Sequence, residues 1–402
     1  MKTETKQRIE QIRRGEVPER YVKTALGLAP ANWKRYTFGD IYTERKEPGD
    51  ENLPLLMVSI HSGVSDGEVD AAELPKQVKR IEDKSQYKKA VSGDLVFNMM
   101  RAWQGAIGTV RTTGMVSPAY IVAEPNDKVN PLFMDYYSRT LQMINQIDRQ
   151  SYGVTDFRKR LYWDSFAPIG CILPPIEEQQ KIATILTTQD KVIELKEKQL
   201  TGKERQKKYL MQQLLTGKKR LPGFAFEVEK TNIKAISTYS VSTISQTMLE
   251  SYEGKQLYPI FNANSIAGHV DFYENECPYI SIIKDGAGIG RVRLCEAKSS
   301  TIGTMGCIHA RKGISIIFLY YLLEQVDFNK YSNGSTIPHL YYKDYSCEKV
   351  RIPDIKEQAA IAEVLSTADR EIELLQQDIE QEKQKKKALM QLLLMGIVRV
   401  KI

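Results

Sequence analysis

Two stretches of the chain share one hydrophobic rhythm. From Ile361 onward, apolar residues recur at Leu365, Ala368, Ile372, Leu375, Ile379, Leu389 and Leu393, interrupted only at Glu382 and Lys386. Steps of four and three are heptad spacing, the mark of a helix with a single apolar seam. Upstream, Ile182, Leu186, Ile193, Leu200, Leu210 and Leu214 keep the same frame, with Gln189, Lys196, Lys203 and Lys207 weakening its centre. Each stretch predicts one helix of about forty residues, roughly 60 Å long at ~1.5 Å per residue. A seam of that length has to be buried. Either each helix packs separately on its own globular block, or the two pack on each other. In the paired arrangement the seam runs through Ile182, Leu186, Ile193 and Leu200 on one side and Ile361, Leu365, Ile372, Leu375 and Ile379 on the other. The second helix starts where the first has delivered the chain, so such a pair is antiparallel.

The two stretches are copies. At one fixed offset, PPIEEQQKIATIL from Pro174 lies on PDIKEQAAIAEVL from Pro353, and MQQLLTG (Met211 to Gly217) lies on MQLLLMG (Met390 to Gly396). Between those ends, Glu178 matches Glu357, Gln179 matches Gln358, Asp190 matches Asp369 and Leu195 matches Leu374. A match that holds from Pro174 to Gly217 without a gap is a tandem duplication. Asp354 with Glu357 suggests a capping box, Pro175 can open the first helix, and Gly217 and Gly396 are natural stops.

The segments around and between the helices change period. GDLVFNMMRAWQGAIGTV (Gly93 to Val110) predicts two strands around a loop holding Arg101, Trp103 and Gln104, and YISIIKDGAGIGRVRL (Tyr279 to Leu294) has the same shape. Each block then runs through a helical piece (FMDYYSRTLQMINQI or IIFLYYLLEQV), a polar loop (RQSYGVTDFRKRLYW or KYSNGSTIPHLYYKD) and a strand into the repeated phrase. Entry is echoed too, by LAPANW and RLPGF. The chain therefore divides into a leader (1–29), a β-rich block (30–172), a helical spacer (173–217), a second block (218–351) and a second spacer (352–402). The fold class is α+β, two similar β-rich domains joined by two long helices in an antiparallel coiled coil with pseudo-two-fold symmetry.

Composition narrows the chemistry. At 402 residues the chain exceeds one ordinary core. Its net charge of +7 suits nucleic acid only weakly, but Glu194 to Arg220 holds nine Lys or Arg against three Glu. No apolar run is long enough to span a bilayer, and the polar start (MKTETKQRIEQIRR) lacks an apolar signal core, so a cytoplasmic protein is expected. Cys171, Cys277, Cys295, Cys307 and Cys347 are scattered, and His61, His269, His309 and His339 show no ligand spacing, so no metal is expected. DGAGIG is followed by the β-like RVRL rather than a helix, which makes it a glycine-rich hairpin turn and not a dinucleotide loop. Phosphate-loop and nucleophile-elbow motifs are missing, as is the double-proline tetrapeptide with which base-directed amino-methyltransferases grip a flipped base.

Two blocks alternating with two copies of a PxxEQ–long helix–LLxG element resemble the specificity subunit of type I restriction–modification systems. The resemblance spans the chain and includes RLPGF, GSTIPHL, the paired PPIEEQ and PDIKEQ, and the opening IEQIRRGEVPERYVKTALGLAPANW. It implies a non-catalytic subunit whose blocks are target-recognition domains, each reading one half of an asymmetric bipartite site in double-stranded DNA. The helices would set the half-site spacing and dock two modification subunits, which would carry S-adenosylmethionine and methylate adenine. Restriction subunits, with translocase and nuclease activity, would join in some systems. No cofactor is expected on this chain, and no membrane. Two other readings stay open: a recognition subunit of another restriction or phage-defence methyltransferase, and a coiled-coil scaffold without direct DNA readout. Residue type and loop placement nominate Arg101, Trp103, Gln104, Arg158, Lys159 and Arg160 in the first block as DNA-facing. In the second they nominate Lys284, Arg291, Asn333, Ser335, Thr336, His339, Tyr341 and Lys343. Arg suits guanine, Asn and Gln suit adenine, and flanking cations suit phosphates.

Overall fold

A computed structural model describes residues 3–50, 52–60, 63–65, 86–153, 155, 158–224, 229–286, 288–334 and 337–401. The chain divides into two compact units, Met1–Leu195 with Ile379–Ile402, and Lys196–Asp378. Both long helices form as the periodicity predicts, over Ile176–Leu214 and Ile355–Leu394. Each helix begins in one unit and ends in the other. The glycine stops are real: Gly217 and Gly396 take φ of +69° and +66°. At Gly396 a Cβ would also sit 2.7 Å from the Pro30 ring, so glycine is required twice over.

The first unit is built on a four-stranded antiparallel sheet in the order Tyr42–Arg45, Tyr120–Pro125, Leu95–Asn98, Ile107–Thr109. The second unit repeats this order and sense with Ser237–Val241, Met305–Ala310, Tyr279–Ile283 and Val292–Cys295. A helix packs on each sheet: Pro131–Tyr137, capped by the Asn130 side chain, and Ile316–Glu324, capped by Ser315. Phe38, Phe97, Phe133 and Phe166 fill the first core, and Ile280, Ile282, Phe318, Leu319 and Leu323 fill the second. The expected closing strands, Gly170–Leu173 and Lys349–Ile352, lead into the long helices. All five cysteines are free thiols. Among the described residues, no helix is long and apolar enough to cross a membrane.

Within each unit the two helices run antiparallel. In the first, Ile182, Ala183 and Leu186 share a core with Leu393 and Leu394. In the second, Ile361, Ala362 and Leu365 share one with Met211, Leu214 and Leu215. Ile193 and Ile379 are buried, while Leu200, Ile372 and Leu375 are half-buried. The polar positions that looked like weak points in the seam turn out to have acidic partners on the facing helix. The Gln189 amide donates to Glu382 at 2.7 Å. Lys196 pairs with Asp378 at 2.8 Å, Lys203 with Glu371 at 2.7 Å and Lys207 with Asp369 at 2.6 Å. Lys386, on the second helix, pairs with Asp190 at 2.5 Å. Partly exposed pairs like these contribute only about 0–1 kcal/mol each. Their main effect is on register, because a slip of one turn would leave each lysine without its acid.

The repeated Glu-Gln dipeptides explain themselves in three dimensions. Glu178 and Glu357 are buried (0% and 1% exposed), as are Gln179 and Gln358. Arg399, just past the end of the second helix, donates two 2.7 Å hydrogen bonds to Glu178 at the start of the first. Arg220 is its counterpart in the repeat, just past the first helix, and likewise donates from Nε, at 2.6 Å, and Nη2 to the Glu357 carboxylate at the start of the second. The adjacent glutamines tie in the sheet-packing helices. Gln179 donates to the carbonyls of Lys128 and Pro174 and accepts from the Asn130 amide. Gln358 donates to Gly313 and Pro353 and accepts from the Ser315 amide. The capping box read at Asp354 is therefore corrected. Asp354 does cap, accepting from the amides of Lys356 and Glu357, but the Glu357 carboxylate is committed to Arg220 instead of returning to the cap.

Breaking a buried charge pair from one side strands the other charge. Arg399→Ala should lower stability by about 3 kcal/mol in urea denaturation. Adding Glu178→Gln should restore most of that loss, because the amide needs no counter-ion.

Candidate nucleic-acid interface

In the first unit, the strands Leu95–Asn98 and Ile107–Thr109 are joined by the loop that holds Arg101, Trp103 and Gln104. The loop is stiffened from within. The Asn98 side chain accepts from the Met100 amide, Ala102 is buried, and a single 3₁₀ turn ends at Gly105 with φ +101°. Trp103 is half-buried against the core and donates its indole N–H to the Met100 carbonyl at 3.0 Å. Arg101 and Gln104 are left exposed at the tip.

A second loop docks onto the first. The Leu161 amide donates to the Met99 carbonyl at 2.9 Å, and the Lys159 ammonium lies 4.9 Å from the Trp103 ring centre. Lys159 also pairs with Asp148 at 2.7 Å. Tyr152 and Arg160 exchange backbone hydrogen bonds across the base of this loop, and Arg158 is exposed. The six nominated residues thus lie on two clasped loops, with Lys159 over the Trp103 ring and Arg160 at the neck.

The second unit repeats the clasp. The turn between Tyr279–Ile283 and Val292–Cys295 is the expected glycine-rich hairpin, with φ of +87°, +83° and +81° at Gly286, Gly288 and Gly290. A Cβ on Gly290 would lie 2.4 Å from Phe328, which makes side chains impossible there. The Leu340 amide donates to the Lys284 carbonyl at 2.8 Å, the counterpart of the Leu161 bond, and Leu340 falls on Leu161 at the repeat offset. Asp285 forms the polar centre, paired with Lys284 and with His339 Nδ1 at 2.7 Å. Burial opposes ionisation of Asp285, but hydrogen bonds from Lys284 and His339 outweigh it and hold the carboxyl below its ordinary range. His339 stacks on Tyr341 (6.4 Å between centres), and the Lys343 ammonium lies 5.6 Å from that tyrosine ring.

Other nominated residues are placed differently. Arg291 donates to the Ala263 carbonyl and the Asn264 side chain, both at 3.0 Å, so it is held by the Asn262–Ser265 turn and not by the His339 cluster. The Asn333 amide is engaged with Tyr331 and Asp344. Ser335 and Thr336 lie outside the described residues. Sequence reasoning passed over Tyr162, 53% exposed, which falls on Tyr341, 49% exposed, at the same repeat offset. Carrying the repeat alignment upstream of Pro174 would have found it. It also passed over Tyr152, Met100 and Ile337, exposed on these same loops.

The two clasps present different groups suited to base edges, the exposed Arg101 guanidinium and Gln104 amide in the first and the His339 imidazole in the second, and both add ammonium groups suited to phosphates and aromatic faces. Among the described residues, no group of three or more His, Cys, Asp or Glu is arranged to hold a metal.

Known proteins share this architecture. Residues 63–203 and 225–384 match the profile of the family described as type I restriction modification DNA specificity domain. Among curated proteins, the chain is 23% identical to a provisionally named type I restriction enzyme MjaX specificity subunit of Methanocaldococcus jannaschii, over 95% of this chain and 97% of that one. It is also 23% identical to the type I restriction enzyme MjaVIII specificity subunit of the same organism, over 79% and 83% of the two chains. Among solved structures, the type I restriction–modification S subunit from M. genitalium superposes with a TM-score of 0.61 at 13% identity, covering 92% of this chain and 97% of that one. The matched segments take in the clasped loops of both domains and most of both long helices, and the chain belongs to the type I restriction modification DNA specificity family.

Proposed function

We propose that this chain reads an asymmetric, two-part DNA site on behalf of catalytic partners, one half-site for each clasped-loop domain. The observation that carries this reading is the pair of clasps, identical in backbone logic at Leu161 and Leu340 and different in the side chains they present. One framework used twice with different chemistry reads two unlike sequences. In the first domain Arg101 and Gln104 are the base readers, and Arg158, Lys159 and Arg160 hold phosphates. In the second, His339 and Tyr341 face bases, while Lys284 and Lys343 add phosphate affinity. The antiparallel helices set the distance between half-sites. S-adenosylmethionine sits on the modification subunits, which methylate adenine, and this chain contributes position and sequence choice alone. Restriction subunits would add translocation and cleavage. The site of action is the cytoplasm.

The helices also offer a place for two modification subunits. Leu195 and Leu374, matched in the repeat, are 54% and 64% exposed, with Lys191 and Lys198 one turn away from the first and Arg370 and Asp378 one turn away from the second. One such leucine per unit supports one partner per unit.

Methylome sequencing of cells carrying this chain with its modification partner should show one bipartite motif with two unlike halves; a symmetric or undefined motif would sink the proposal. Arg101→Ala should relax one base position in one half-site, costing about 1–3 kcal/mol there, whereas an equal loss on all sequences would make it a phosphate contact. Leu195→Asp should reduce the bound modification subunits from two to one in light-scattering mass measurements, and Leu374→Asp should do the same.

A further inference from the structure

Each recognition domain is fastened to the long helices at a second point. In the first unit, Tyr136 on the sheet-packing helix donates to Asp190 at 2.6 Å, and Lys386 from the facing long helix pairs with the same carboxylate and lies 5.6 Å from the Tyr136 ring centre. In the second unit, Tyr321 donates to Asp369 at 2.7 Å, and Lys207 pairs with Asp369 and lies 5.4 Å from the Tyr321 ring centre. Asp369 falls on Asp190 at the repeat offset, and Lys386 falls on Lys207. Both tyrosines are buried, at 1% and 2% exposure. Lys207 gains a further partner in Glu324 at 3.3 Å, and although burial works against its charge, these acids together raise its pKa. Each cluster joins three elements: the recognition domain, the helix that leaves it and the helix that returns.

The mechanical consequence follows from position along the helix. Glu178 and Glu357 mark the first attachment, and each aspartate lies twelve residues further on, ~18 Å at ~1.5 Å per residue. A domain held at one point pivots; held at two points ~18 Å apart, it keeps its angle. Changing a DNA spacer by one base pair moves a half-site by ~3.4 Å along the axis, a shift that a domain free to pivot at one attachment follows by tilting. It also turns the half-site by about 35°, from the 10–10.5 base pairs of one helical turn. Helix length alone therefore does not exclude neighbouring spacers unless the readers are prevented from swinging.

We propose that Tyr136–Asp190–Lys386 and Tyr321–Asp369–Lys207 are positioning joints that confine the protein to a single spacer length between its half-sites. The inference rests on the two-domain reading above. The joints touch no base and leave half-site sequence preference alone.

The test uses the full chain assembled with its modification subunits and a pool of duplexes holding both half-sites at spacers from two base pairs shorter to two longer than the native one. Methylation is read at each spacer for the wild type, Tyr136→Phe, Tyr321→Phe and the double variant. The phenylalanines keep the ring and its lysine and remove only the hydrogen bond to a charged acceptor. Each single variant should lower discrimination against neighbouring spacers by about tenfold, the double variant more, with both half-site sequences unchanged. Lys386→Arg and Lys207→Arg, which keep the charge, should retain the sharp preference. An unchanged preference in the double variant, or a loss of methylation equal at every spacer, would overturn the joints while leaving the two-domain reading intact. A wild-type complex that accepts all spacers equally would overturn that reading and this inference with it.

Discussion

Two buried carboxylates organise the chain. Glu178 and Glu357 sit where a charge is tolerable only with a partner, and each finds an arginine delivered by the far end of the opposite long helix. Because the neighbouring glutamines bond the loops that start the sheet-packing helices, satisfying one charge also fixes a domain. Helix start, helix end and recognition domain thus become one cooperative cluster in each unit. The apolar seam supplies most of the burial, but it is compatible with several registers. The clamps and the lysine–acid pairs select one.

Most of the architecture could be read from period and repetition. The heptads gave both helices, and the repeat offset placed Glu178 on Glu357 and Gly217 on Gly396, residues that do the same work in both copies. What could not be read was partnership across elements. Gln189, Lys196 and Lys203 looked like defects because their compensating acids lie on the other helix, at positions fixed only by an antiparallel register. Glu357 looked like a capping residue because Asp354 is three positions away in sequence, whereas Arg220 is close only in space. In the candidate interface, loop placement put Arg101, Trp103 and Gln104 on one loop, and the structure adds Lys159 from the neighbouring loop over the Trp103 ring. It could not show that Arg291 is engaged by the Asn264 turn, since that contact depends on how a distant hairpin folds back.

The two copies have diverged unevenly, and the pattern has a physical reason. Positions that satisfy buried charge or buried amide groups cannot change singly, so Arg220 and Arg399, Glu178 and Glu357, and Leu161 and Leu340 remain recognisable pairs. Loop-tip side chains such as Arg101 and Gln104 face solvent and carry no such obligation. A family that must recognise many DNA sequences with one architecture gains from that separation, because new side chains at the tips leave the clamps untouched.

The sharing of each helix between units also orders events in time. Residues 196–378 form one continuous segment and can complete their unit as soon as they leave the ribosome. The other unit cannot. Its Glu178, held by the Trp33 indole, lacks a counter-charge while the whole of the later-encoded unit is made, until Arg399 arrives to neutralise it. Vectorial synthesis therefore finishes the later-encoded unit first and holds the earlier one ajar. A prematurely terminated chain would keep a buried charge exposed to rejection by the cell's quality control.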